Sequence, residues 1–177
     1  MSHPKYPLVF EPIQYGPIRL KNRIINLPMM NGLSSPDGRV TPQMTAHMAA
    51  RAKSGAALVI IGDSEIEHKY GLTHYSPLNL SYSGVAAGLV DIADECHRYG
   101  ARVGIELNHG GLCANEDITL SGRRIGPSPD PAEPGNPRKK RDAIIMDRTL
   151  MDETIQAYVT AAVRLMDAGF DEVMVHC

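Results

Sequence analysis

Ala56–Ile61 reads AALVII, and Ala101–Asn108 reads ARVGIELN. The first stretch is apolar without alternation, short and rich in β-branched residues. That is the pattern of a strand covered on both faces, as in a parallel sheet. Working outward, each stretch follows a helical pattern closed by a glycine. Upstream of AALVII, Thr41 is a hydroxyl N-cap with Pro42 at the first helical position, Met44, Met48, Ala49 and Ala52 recur at helical spacing, and Gly55 ends the helix. Upstream of ARVGIELN, Leu89, Ile92, Ala93 and Cys96 share one face, and Gly100 is the stop.

The rhythm continues in both directions. RIINLPMM (Arg23–Met30) reads as a first strand ended by proline. Ile155, Tyr158, Val159, Ala162, Leu165 and Met166 predict one face of a last helix that stops at Gly169, and FDEVMV (Phe170–Val175) reads as a strand. The order is β-α-β-α-β-α-β, which predicts an α/β fold of about four parallel strands and three helices with right-handed crossovers. Gly62–Ser83 after the second strand and Asn108–Leu150 after the third are too long to be mere connectors. Both leave strand C-termini, whereas the helix-to-strand turns are tight. That asymmetry belongs to folds whose site lies at the strand C-termini. A whole (β/α)₈ barrel takes about 250 residues, so 177 residues predict the N-terminal half of a TIM barrel or a small open sheet.

The formal charge of −2 argues against a nucleic-acid partner. The one basic run, PRKKR at Pro137–Arg141, has no interleaved aromatics and reads as a solvated loop. Cys96, Cys113 and Cys177 are odd in number and lack metal-ligand spacing, so free thiols in a reducing compartment are expected, with no metal site. The N-terminus lacks a secretory pattern and no apolar run is long enough to span a membrane. A cytoplasmic address is the expectation.

Four segments in order carry a resemblance: LKNRIINLPMM (Leu20–Met30), RAKSGAALVIIGDSEI (Arg51–Ile66), GIELNHGG (Gly104–Gly111) and AGFDEVMVH (Ala168–His176). Together they resemble the old yellow enzyme family of NADH:flavin oxidoreductases, in its 2,4-dienoyl-CoA-reductase-like branch. The resemblance implies a barrel that holds FMN at its strand C-termini, NADH or NADPH as reductant, and an electrophilic alkene such as an enone, enoate or dienoyl thioester as substrate. On this reading residues 1–177 are a partial FMN-binding barrel domain, truncated at the end of the fourth strand.

The resemblance also implies site residues. Leu27, Pro28, Met29 and Met30 match the first-strand segment whose backbone meets the flavin ring. Many relatives have Thr or Cys where Met30 stands, and a methionine cannot donate a hydrogen bond; packing of both methionines under the sheet is the alternative. Gly62 and Asp63 match the approach to the pyrimidine side of the flavin, with a turn cap by Asp63 as the alternative. Glu106 stands where many members have Gln. A carboxylate can only accept, from flavin N3–H, and a structural carboxylate paired inside the barrel is the other reading. His176 matches the first of two side chains that donate to the substrate's carbonyl or nitro oxygen, an oxyanion-type effect; the second would lie beyond Cys177. His109 reads as a packed, hydrogen-bonded histidine that shapes its loop, and His47, His68, His74 and His97 carry no stronger signal.

Two further readings stay open at this point. One is a non-catalytic half-barrel that does not bind flavin. The other is a flavodoxin-like domain, disfavoured because no glycine-rich phosphate loop follows the first strand. Unpaired strand edges and an exposed apolar inner face predict self-association as a homo-oligomer.

Overall fold

The computed structural model describes residues 4–176. The chain opens with an antiparallel hairpin, β1 (Ile13–Tyr15) and β2 (Ile18–Leu20), and then enters a parallel sheet through the short β3 (Ile25–Asn26). Helix α1 (Pro42–Lys53), strand β4 (Leu58–Glu65) and the short β5 (Leu78–Asn79) follow, then α2 (Ala86–Arg98) and β6 (Arg102–Asn108). A small pair, β7 (Ile125–Gly126) and β8 (Ile144–Ile145), precedes α3 (Arg148–Asp167) and β9 (Glu172–Val175). The sheet order is β3-β4-β6-β9, all parallel, with β5 added beside the far end of β4. This is the four-stranded, three-helix half of a (β/α) barrel.

Local chemistry accounts for the ends of the helices. Thr41 Oγ1 accepts from the Met44 N–H (3.2 Å) with Pro42 at the first position, and Asp147 Oδ1 accepts from the Leu150 N–H (2.8 Å). Gly100 (φ 67°) and Gly169 (φ 87°) adopt the left-handed conformation that ends α2 and α3. On the outer face of the sheet Val59, Ile61, Val103, Ile105 and Leu107 pack against Met44, Met48, Leu89, Ile92 and Leu165. On the inner face Leu58 and Ile60 pack with Leu20 and with Ile13, Ile18, Ile25 and Met174, so the hairpin closes the N-terminal ends of the strands.

Three expectations are corrected. The first strand pairs over Ile25–Asn26 only. Past it the chain runs unpaired through Pro28, which has no N–H to give, and Leu27 (65%), Met29 (74%) and Met30 (57%) are exposed rather than packed under the sheet. The buried face of α3 is also rotated from the expected one. Ala161 and Leu165 are buried and Tyr158 and Ala162 pack against the core, while Met151, Ile155, Val159, Val163 and Met166 form an exposed apolar stripe. Finally, the second strand does not end at Ile61. It continues through Gly62 to Glu65, because β6 remains alongside to pair with it.

That continuation contains the feature that shapes the site. Ile61 pairs with Ile105, but Ser64 pairs with Leu107, so β4 carries one extra residue. The extra residue makes a β-bulge with Asp63 at φ 58°. The bulge resets the alternation. Gly62 lies on the inner face, Ser64 pairs with outward Leu107, and Glu65, paired with Asn108, returns to the inner face.

The long connection after β6 is tied down by Arg124, which has no exposed surface. It donates to Glu116 Oε1 (3.0 Å), to the carbonyls of Leu112 (3.3 Å) and Arg141 (2.9 Å), and pairs with Asp130. Within the PRKKR run the two lysines are paired: Lys139 with Asp130 and Glu133, and Lys140 with Asp117. Among the described residues no helix is long and apolar enough to cross a membrane.

Candidate active site

The sheet gathers polar side chains at the C-terminal ends of its strands, on the inner face above the apolar floor. Asp63 and Glu65 come from β4, Glu106 and Asn108 from β6, and His176 follows β9, its N–H donating to the Leu107 carbonyl (3.0 Å). The Leu27–Met30 segment arrives from the other side and crosses β4 at Gly62. A Cβ at position 62 would sit 2.3 Å from the Met29 nitrogen, so only glycine lets the two backbones meet. Gly62 thus serves the approach of the first-strand segment. Met30, Gly62, Asp63 and His74 line one small cleft. The eight residues singled out from the sequence therefore converge on one end of the half-barrel.

Glu106 is already engaged: its Oε2 accepts from the Asp63 N–H at 3.2 Å. The carboxylate thereby helps hold the bulge, whatever else it meets. His109 behaves as expected of a loop-shaping histidine. Its Nδ1 accepts from the Gly111 N–H (3.0 Å), which puts the proton on Nε2 facing Glu67 Oε1 (2.8 Å). Hydrogen bonds from His109 and from the Tyr70 and Lys69 amides outweigh burial and hold the Glu67 carboxyl below its usual range.

Residues that the sequence did not single out complete the cluster. Asn108 Nδ2 donates to Glu65 Oε1 (3.0 Å) and to Asp63 Oδ1 (3.3 Å). Thr73 Oγ1 donates to Glu65 Oε1 (3.2 Å) and lies 2.9 Å from His74 Nδ1, and His74 Nε2 faces Asp63 Oδ2. Glu65 is wholly buried, and burial, reinforced by the neighbouring Asp63, pushes its carboxyl up to about 8. Burial also raises the Asp63 carboxyl, with Glu106 adding to the rise and His74, Asn108 and His176 opposing it. Glu65 and Asn108 did lie in quoted motifs, at the strand ends where ligands bind. Thr73 and His74 had no sequence signal, since a loop carries them back to β4.

The arrangement suits a flat ligand with an apolar face and a polar edge. Leu27, Met29 and Met30 offer exposed apolar surface, while Asp63, Glu106 and His176 offer hydrogen-bonding groups beside it. Asn31 Nδ2 next to Met30 is buried without a partner, a donor left over at the same edge. The raised proton affinity of Asp63 and Glu65 limits the negative charge that such a ligand would meet.

The chain is similar to known proteins in sequence and in fold. The chain is 30% identical over 176 residues to an NADH oxidase of Thermoanaerobacter brockii, a match that takes in 99% of this chain and 26% of that protein. It is 31% identical over 169 residues to an NADH:acrylate oxidoreductase of Vibrio harveyi, across 96% of this chain and 16% of that protein. In three dimensions it superimposes on Old Yellow Enzyme from Pichia sp. AKU4542 with a TM-score of 0.87 at 23% identity, covering 96% of this chain and 45% of that one. At that identity the superposition establishes the fold, and 177 residues account for less than half the length of each of these proteins. Residues 8–177 match the model of one family, and the chain belongs to the NADH:flavin oxidoreductase / NADH oxidase family.

Proposed function

We propose that this chain provides the ring-facing wall of an FMN site in an NAD(P)H-dependent oxidoreductase that reduces activated C=C bonds. The observation that carries the reading is the convergence, in a member of this family, of the exposed Leu27–Met30 edge with Asp63, Glu106 and His176 at one end of the half-barrel. The chemistry that FMN supplies when bound is two-electron transfer from NADH or NADPH to an electron-poor alkene. The protein's part is to orient and polarise. The N–H groups of Leu27, Met29 and Met30 would donate to the ring edge, fixed by the close crossing at Gly62. Glu106 would accept from a ring N–H, and His176 would donate to the oxygen conjugated with the alkene, drawing charge toward it. The acrylate named for the V. harveyi relative is an alkene of that electronic class.

The test is titration of FMN with the 1–177 chain, followed by quenching of flavin fluorescence. Saturable quenching at micromolar protein, weakened at least tenfold by Gly62→Ala, is expected; no quenching across that range overturns the reading for this chain. We further propose that the isolated chain self-associates through the apolar stripe of α3. A monodisperse monomer in light scattering would overturn that.

A further inference from the structure

Five side chains close a ring at the mouth of the half-barrel: Glu65, Thr73, His74, Asp63 and Asn108. The ring has two properties that a purely structural network lacks. It contains two carboxyls bridged by one amide, since Asn108 Nδ2 donates to both. It also leaves one acid–base atom unfilled, because Glu65 Oε2 is buried without a hydrogen-bond partner, while Asp63 Oδ2 and His74 Nε2 have only each other.

We propose that the ring is a proton relay, in which one proton is shared between Glu65 and Asp63 through Thr73 and His74. The transfer balances atom by atom. With the proton on Glu65, Oε1–H donates to Thr73 Oγ1, the Thr73 O–H donates to His74 Nδ1, and His74 Nε2–H faces ionised Asp63. Moving each proton one step leaves Glu65 ionised and accepting from Thr73, His74 protonated on Nδ1, and Asp63 carrying the proton on Oδ2. One negative charge has moved from Asp63 to Glu65, and Asn108 stabilises it in either place. The ring has an inner and an outer side: Glu65 has no exposed surface, whereas the His74 and Asp63 side chains retain 23% and 16% exposure and line the cleft with Met30 and Gly62. The charged groups around the ring are Glu106 on β6, His176 beyond β9 and the Glu67–His109 pair of the adjoining loops. Burial raises the proton affinity of both carboxyls, to about 8 for Glu65, which agrees with one retained proton.

The destination of the proton rests on the function proposed above: an alkene that takes a hydride at one carbon needs one proton at the next. The existence of the relay does not depend on it. The test therefore uses the flavin-free 1–177 chain, with infrared detection of the protonated-carboxyl carbonyl stretch and ring-nitrogen NMR of labelled histidine. A protonated-carboxyl band at neutral pH is expected, lost in Glu65→Gln, with His74 titrating at the same midpoint as that band. Thr73→Val should separate the two midpoints and Thr73→Ser restore them. In a merely structural ring the two midpoints already differ in the unsubstituted chain, and Thr73→Val shifts the Glu65 band without His74. Both carboxyls ionised at neutral pH, or His74 indifferent to Glu65→Gln, overturns the proposal. If Thr73→Val does not fold, Asp63→Asn reads the same link from the other end and should shift the Glu65 band and His74 together. Loss of FMN binding with the relay intact would refute the function and not the relay.

Discussion

The two ends of the same sheet treat a buried carboxylate in opposite ways. At the N-terminal end Asp171 accepts from His97 Nε2 (2.7 Å), Arg102 Nη1 (2.8 Å) and the Val103 N–H (2.9 Å). Every lone pair it turns inward meets a donor, and two of those donors are side chains that carry or can take a proton. At the C-terminal end Glu65 is buried more deeply, yet it receives neutral donors only, Thr73 and Asn108, and one oxygen has none. The first carboxylate ties α2, β6 and β9 together. The second is held in a state whose proton affinity is its main property. A barrel concentrates stability at one rim and chemistry at the other, and here the division shows within two carboxyl groups.

The largest effect should come from breaking the N-terminal rim. Asp171→Ala leaves the Val103 N–H without its acceptor and unties His97 and Arg102, and should cost about 2 kcal/mol in urea unfolding. A cost below about 1 kcal/mol would mean that the contrast between the rims is not energetic.

A smaller effect of opposite sign should come from Glu65→Gln. The Glu65 carboxyl stands at about 8 in the fold against 4.5 for the free group. Because the folded value is raised, the folded state holds the proton more tightly than the unfolded chain. Its contribution to stability is therefore complete below about pH 4.5 and is lost as pH rises through about 8. The amide does not ionise, so at pH 9 the variant should be the more stable by roughly 1–2 kcal/mol, and its stability should depend less on pH between those values. Equal slopes of stability against pH for the two proteins would show that Glu65 is ionised throughout.

Much of the fold was legible because it rests on short-range rules. The α2 face Leu89, Ile92, Ala93 and Cys96 is buried as read, since that helix lies between two neighbours and the sheet and every apolar side chain on one side finds contact. The α3 face was misread because a helix lined with Met151, Ile155, Val159, Val163 and Met166 on one side and Ala157, Tyr158, Ala161 and Leu165 on the other has two apolar stripes. Periodicity alone does not say which of them meets the sheet. The short first strand was overread for a related reason: Leu27–Met30 is apolar, but it is exposed at the site rather than buried in the core.

The sequence by itself determined the β-α alternation, the Thr41 cap and the glycine stops, the parallel run of the strands and the rim at which polar residues gather. All of these follow from interactions within one turn, one strand or one amphipathic face. Only the tertiary structure decided what those polar residues do. The bulge at Asp63 arises from the register of β4 against β6, and it turns Glu65 inward beside Asn108, 43 residues away in the chain. His74 meets Asp63 because the loop after β4 folds back over that bulge. Whether a carboxyl is ionised depends on the donors and the water within a few ångströms of it, and those neighbours are set by the folding of the whole chain.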